Sequence, residues 1–337
     1  MRIVVITLGA LGLGALGWSG WWYAGASGQD AALQSWLDGR AAEGWQAEVT
    51  AIETTGFPAR FARRIEAPAL ADPAAGWAWA APWLEMESAA WDPTNVTLSF
   101  PEEQSFAVPG ARLAVTAESL DAVAAVVPSL SLRLREVSLS AETIALDAQS
   151  GWRTGADQLS LGVARRLDDS APPNTYDVHL EAFGVSLPGK IGRALTPNGR
   201  EDALGTLTAR GQVVADRPLD RDALDEGEIG ARTVVIREGR LDYAGSSFDI
   251  DGRLDADEDG FAEGELDIEA KDWRRLVRGL VASGTIPRRV GDAIEEAGDL
   301  LSIFSRGKDI NVTLTFSNGG ARVGLIPVGR APRLTTR

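Results

Sequence analysis

The chain contains no cysteine and one histidine, His179. Without Cys there is no thiol catalysis, thiolate-held zinc, iron–sulfur cluster, disulfide staple or lipid-modified N-terminal cysteine. A single imidazole leaves no second nitrogen for a poly-His metal site and no identifiable partners for a triad. Basic residues are scarce too: 33 Lys and Arg face 48 Asp and Glu, a net charge of −15 over 337 residues. Such an excess argues against nucleic-acid phosphate or anionic headgroups as the main partner surface. Charge is missing altogether from Ile3 to Gly28.

That uncharged run offers length and aromatic rings. About 20 apolar residues cross a hydrocarbon core, and Trp18, Trp21, Trp22 and Tyr23 stand near its end, where amphipathic rings favour the membrane interface. The reading is a membrane anchor over residues 1–28, embedded through 3–26, with Arg2 on the cytoplasmic side of an inner membrane and 29–337 outside, in the periplasm. Ala24-Gly25-Ala26 resembles a signal-peptidase site, yet the run exceeds the roughly 7–15 residues of a signal core. Gly12, Gly14 and Gly17 copy a dinucleotide fingerprint with Asp38 beyond, but the residues after them have no polar face and no second strand leads to the acid.

Past the anchor the chain is long enough for one elongated domain or two lobes. Leu33, Trp36 and Leu37 keep helical spacing over residues 30–43. After Trp45 the apolar period becomes 2: Val96/Leu98/Phe100, Leu113/Val115, Leu130/Leu132/Leu134, Val137/Leu139, Leu159/Leu161/Val163, Tyr176/Val178/Leu180 and Ile310/Val312/Leu314/Phe316 alternate between short breaks. Over 246–270, Phe248, Ile250, Leu254, Leu266, Ile268 and Ala270 oppose acidic neighbours, giving one apolar and one acidic face. The alternation slips between Leu134 and Val137 and between Ala141 and Ile144, as a bulge or tight turn would cause. Ser317-Asn318-Gly319-Gly320 predicts a hairpin. Helices are expected over 117–127, ending at Pro128, over 271–283 on the stripe Trp273/Leu276/Val277/Leu280/Val281, and over 287–305. The fold class is therefore mainly β: a large curved antiparallel sheet or open β-sandwich with two or three covering helices, preceded by one transmembrane helix.

Candidate chemistry is thin. Asp255-x-Asp257-x-Asp259-Gly260 copies half a calcium loop, but the twelfth position is Leu266 and no helix precedes it, so it reads as a solvated hairpin tip. His179 shares a strand face with Asp177 and Glu181 and has no nucleophile nearby in sequence. No carboxylate pair stands out among 48 acids, which leaves an acid-dependent hydrolase without a site. Candidate anionic-group contacts are Arg60, Arg63 and Arg64, and the helical side formed by Lys271, Arg274 and Arg278 with Arg288 and Arg289 beyond. Trp77, Trp79, Trp83 and Trp91 read as packing residues at one end of the sheet rather than a ligand platform.

The segments Gly56-Phe57-Pro58-Ala59-Arg60-Phe61, Trp79 with Pro82, Asp272-Trp273, and Gly324 through Pro327 and Gly329 to Pro332 make the chain resemble a Gram-negative envelope family known as domain of unknown function 2125. The resemblance runs from the end of the anchor to about Leu334, and its motifs are turn and packing residues. It implies an inner-membrane-tethered periplasmic protein. The layout is more distantly similar to the AsmA-like and LptC-like proteins, whose curved sheets hold acyl chains, an analogy of architecture alone. The expectation is a non-catalytic module, without cofactor or metal, that binds or passes a lipid or other amphiphile. The alternative is a tethered scaffold holding an envelope protein at a strand edge.

Overall fold

The computed structural model describes residues 2–168, 170–188, 204–226, 229–271, 273–282, 309–324 and 326–335, with shorter stretches at 192, 196, 284, 287–289, 291–292 and 295–296. Among these residues the chain is mainly β, with twenty strands in antiparallel pairings and few helices. Two compact units are distinguished: residues 1–124 with 148–150, and residues 125–147 with 151–337.

The first unit opens with helix α1, Arg2–Ala42. The helix expected over 30–43 is the end of this one continuous element, because no proline interrupts it and the carboxylate of Asp30 is taken by other partners. Among the described residues no helix is long and apolar enough to cross a membrane. Ten strands follow: β1 Gln46–Glu48, β2 Ala51–Thr55, β3 Arg60–Glu66, β4 Ala69–Asp72, β5 Trp77–Ala80, β6 Trp83–Ala89, β7 Asp92–Ser99, β8 Glu103–Val108, β9 Ala111–Thr116 and β10 Ser119–Val126. They are the halves of five long strands: β1, β4, β5, β8 and β9 pair in series, and so do β2, β3, β6, β7 and β10.

The breaks between halves form one seam. Ala67 N donates to Pro82 O at 2.8 Å, Ala81 N to Pro68 O at 3.1 Å, Phe100 N to Leu120 O at 3.0 Å and Ala117 N to Glu102 O at 2.9 Å. Pro68, Pro82 and Pro101 lie along it, where their missing N–H cannot extend a ladder. The helix expected over 117–127 is instead strand β10. Its small apolar residues suit either period, and pairing with β7, with Ser99 Oγ donating to Asp121 Oδ1 at 2.6 Å, decides between them.

Helix α1 lies against this unit through a specific set of contacts. Trp22 is buried, stacks on Phe61 at 5.5 Å, meets Phe57 edge-on at 5.5 Å and donates its indole N–H to Arg60 O at 2.9 Å. Trp18 donates to Pro58 O at 2.8 Å, and Tyr23 stacks over Phe57 at 6.0 Å. Gly25 leaves room for Phe61, whose Cζ would lie 2.9 Å from a Cβ there. Below, the buried Arg63 guanidinium donates to Asp30 at 2.8 Å and Gln29 at 3.1 Å. Arg40, also buried, lies over the rings of Trp36 and Trp45, and Trp45 meets Trp77 edge-on at 5.1 Å.

The second unit is a meander: β11 Leu134–Ala148, β12 Arg153–Arg165, β13 Thr175–Val185, β14 Gly205–Ala215, β15 Ala231–Tyr243, β16 Ser246–Ala256, β17 Ala262–Lys271, β18 Asp309–Ser317, β19 Gly320–Val323 and β20 Ile326–Arg330. From β11 to β20 each strand pairs with the next. In the loop before β11 the expected Leu130/Leu132/Leu134 alternation fails. Leu130 is 98 % exposed and Leu132 has φ 46°, because Pro128-Ser129 starts a turn closed by Val127 N donating to Arg133 O; regular strand begins at Leu134. The slip between Ala141 and Ile144 falls on Thr143, at φ 50°, with the β12 register unshifted on either side; from Leu134 to Val137 the strand is continuous. Asn318-Gly319, at φ 51° and 69°, makes the expected hairpin. Helix α2, Arg221–Glu226, lies between β14 and β15; α3, Trp273–Ala282, confirms the expected Trp273 helix and buries Trp273 and Val277 against Ala270 and Ile310. The helix expected over 287–305 falls largely outside the described residues.

Trp22→Ala removes a stacked, hydrogen-bonded buried ring and is expected to lower stability by about 3 kcal/mol. Asp30→Ala leaves the Arg63 guanidinium buried with one amide partner and is expected to cost about 3 kcal/mol. Urea unfolding of each variant measures both; a loss under about 0.5 kcal/mol, the range of ordinary surface changes, contradicts the role assigned to the helix.

Candidate functional site

Antiparallel partners share a face, and register carries one face across eight strands of the second unit. In one row Leu139, Leu161, Leu180, Ala209, Gly239, Ile250, Ile268 and Val312 stand opposite one another from β11 to β18. The next row is Val137, Val163, Val178, Gly211, Ile236, Gly252, Leu266 and Leu314. Rows on either side carry Leu159, Ala182, Leu207, Leu241 and Phe248, and Tyr176, Val213, Val234 and Leu254. The other face is polar: Ser160, Glu181, Thr208, Arg240, Asp249, Glu269 and Asn311 form the corresponding row.

At about 4.8 Å per strand and about 7 Å per pair of residues, the apolar face extends roughly 34 Å by 20 Å. Its margin is packed: Leu254, Ala262, Leu266, Phe316, Ala321 and Ala331 form a core cluster, and α3 covers Ala270 and Ile310. Its centre is not. Val178, Leu207, Val213, Val234, Ile236 and Leu241 are half-buried and Leu161 is 36 % exposed. Here β13 to β16 form a concavity of about 270 Å³ whose walls are Val178, Leu207, Val213, Val234, Ile236, Leu241, Phe248 and Ile250. Its floor is low because Ala209 lies opposite Gly239 and Val178 opposite Gly211. A Cβ on Gly239 would lie 2.5 Å from Ile250 Cγ2. An apolar concavity with so few polar groups fits an alkyl chain.

Sequence reading overlooked this floor. On β15 the apolar positions pass from even (Val234, Ile236) to odd (Gly239, Leu241), because an extra residue shifts the register between Arg210 and Gly211. The shift hides the alternation in the sequence and preserves the face in the sheet.

The sequence-derived candidates are placed as follows. Arg60 pairs with Glu87 at 3.3 Å, Arg63 with Asp30 at 2.8 Å, and Arg64 with Glu66 at 2.6 Å while lying over the Trp83 ring. Arg60 and Arg64 are on one side of β3 and Arg63 on the side facing α1. In the second unit Lys271 ends β17, Arg274 lies over the Trp273 ring at 4.8 Å and Arg278 pairs with Glu295 at 3.5 Å. Trp21 and Tyr23 are exposed, whereas Trp18 and Trp22 are engaged by the β2–β3 turn. Trp79 packs on Phe100 and donates to Gln104 Oε1 at 2.9 Å; Trp91 is 70 % exposed. His179 lies opposite Gly162, whose missing side chain makes room for the imidazole.

No group of three or more His, Cys, Asp or Glu side chains that could hold a metal occurs among the described residues. In the calcium-like tip, Asp257 Oδ1 accepts from the backbone N–H groups of Asp259 and Phe261, and Asp255 accepts from Arg253 and Thr233. The Arg253 hydrogen bond, helped by Thr233 and opposed by partial burial, holds the Asp255 carboxyl below its ordinary value of 3.8. A lowered carboxyl pKa stabilises the fold above the unfolded value, and the contribution is lost as pH falls through the folded value. Asp255→Asn is therefore expected to lower the thermal midpoint at pH 7, with the gap to wild type closing as pH drops below 3.8; a gap independent of pH would refute this.

No curated protein and no solved structure matches the chain. The residues that carry the family resemblance are the ones that hold these elements: the Gly56–Phe61 turn seats Trp18 and Trp22, Gly324 turns β19 into β20 at φ 57°, and Pro332 O accepts from Ala262 N at 2.8 Å. Residues 21–332 match the family described as uncharacterized protein conserved in bacteria (DUF2125), and the chain belongs to that family.

Proposed function

We propose that this protein is a non-catalytic envelope module, anchored in the inner membrane by its N-terminal segment, that binds or passes an amphiphile on the apolar face of its second unit in the periplasm. The observation that carries the reading is the register-aligned apolar face, half-buried at its centre, with a concavity of about 270 Å³ between β13 and β16. Large contiguous apolar surface on a folded protein marks an interaction site. The uncharged stretch from Ile3 to Gly28 and the exposed Trp21 and Tyr23 support the anchor.

The test is mass spectrometry of lipid retained by the full chain after exchange into nanodiscs made only of one synthetic phosphatidylcholine. A second, cell-derived acyl lipid is expected at about one per chain. Gly239→Leu, which puts a side chain against Ile250 on the floor, is expected to release it at an overpacking cost of about 1–3 kcal/mol. A wild-type chain carrying only the synthetic lipid would sink the reading.

A further inference from the structure

We infer that the amphiphile has one alkyl chain and a carboxylate head, with the chain in the concavity between β13 and β16 and the carboxylate on Arg165. The inference rests on the amphiphile-binding reading and adds the ligand's chemical class.

Arg165 stands opposite the buried Tyr176 in the β12–β13 register and so shares the apolar face with Val163 and Leu161. It is half-buried, and its guanidinium has no hydrogen bond or ion pair among the described residues. The arginines on the polar face behave differently. Arg166 pairs with Asp177 at 3.3 Å, Arg210 with Glu181 at 2.9 Å, Arg240 with Asp242 at 2.7 Å and Arg253 with Asp255 at 2.8 Å. Among the described residues no carboxylate partners this half-buried guanidinium. Removing such a group from water without an acceptor is costly, and an incoming anion would relieve that cost.

Position joins Arg165 to the concavity. It is the diagonal neighbour of Val178, which forms one wall, and diagonal neighbours lie about 7–8 Å apart. The intervening surface, Val163, Tyr176 and Val178, is apolar except for the Tyr176 hydroxyl, which accepts from Leu219 N at 3.1 Å. An alkyl chain can therefore leave the concavity toward Arg165 without crossing a charge. One guanidinium matches the single charge of a carboxylate better than a phosphomonoester, which carries roughly −1.5 to −2 at neutral pH; Arg135, one residue before the first β11–β12 register pair Glu136 and Ala164, is already engaged.

Equilibrium dialysis of the full chain in phosphatidylcholine nanodiscs, corrected with empty discs, tests this with dodecanoate and dodecanol as probes. Wild type is expected to bind dodecanoate about tenfold more tightly than dodecanol, the size of one charge-assisted hydrogen bond. Arg165→Gln is expected to abolish the difference by weakening dodecanoate alone, and Arg165→Lys to retain most of it. Equal binding of both probes by wild type, or a preference that survives Arg165→Gln, overturns the assignment to Arg165 and leaves the groove standing. Binding of dodecyl phosphate without dodecanoate overturns the carboxylate. Binding of none of the probes overturns the amphiphile reading as well.

Discussion

Everything distinctive in the second unit depends on hydrogen-bond register. Side chains alternate with a period of two, so a slip of one residue in any of eight strands would transfer that strand's apolar set to the acidic face. The chain avoids this in two ways. From β16 to β18 the pairing runs without a shift, from Phe248 opposite Ala270 to Gly264 opposite Phe316. On β15, where an extra residue enters, the apolar pattern shifts with it, so Ile236 and Gly239 remain on the same side. The negative charge thereby collects on one face, where Arg210, Arg240 and Arg253 are each held by carboxylates.

The first unit answers a different constraint. Its five long strands are interrupted along a common seam, three of them at Pro68, Pro82 and Pro101, and its helix is joined to it by aromatic stacking and a buried ion pair rather than by a broad apolar stripe. Trp22 on Phe61 and Arg63 on Asp30 fix the helix at two levels. The segment Gly56–Arg60 supplies both the backbone acceptors for Trp18 and Trp22, Pro58 O and Arg60 O, and the Phe57 ring for Tyr23. A motif that reads as mere turn chemistry in the sequence is the seat of a helix.

Legibility followed the strength of the period. The strands around Leu159, Tyr176, Phe248 and Ile310 are evident because apolar residues alternate there with charged, polar or small ones without interruption. The helix expected over 117–127 is strand over Ser119–Val126, since Ala122, Ala124 and Ala125 satisfy both periods and the deciding partner, β7, is some 25 residues away in sequence. The Leu130–Leu134 alternation is accidental, its first residue lying almost wholly in solvent. The concavity was hidden for two reasons. Its floor is made of side chains that are absent, Gly211 and Gly239, and its wall crosses a register shift. Arg165 was in plain view, two positions beyond Val163 in an alternating strand, but its meaning required knowing that every polar-face arginine nearby has a partner.

From β11 to β18 each strand bonds to the next in the chain. Each closure in such a sheet is a single loop, whose entropic cost grows only slowly with its length. Growth can proceed strand by strand as the chain emerges, each new strand finding its template already formed. The same arrangement leaves the sheet only as strong, locally, as its neighbouring pairs. Opening at one interior strand pair would part the apolar face across its width.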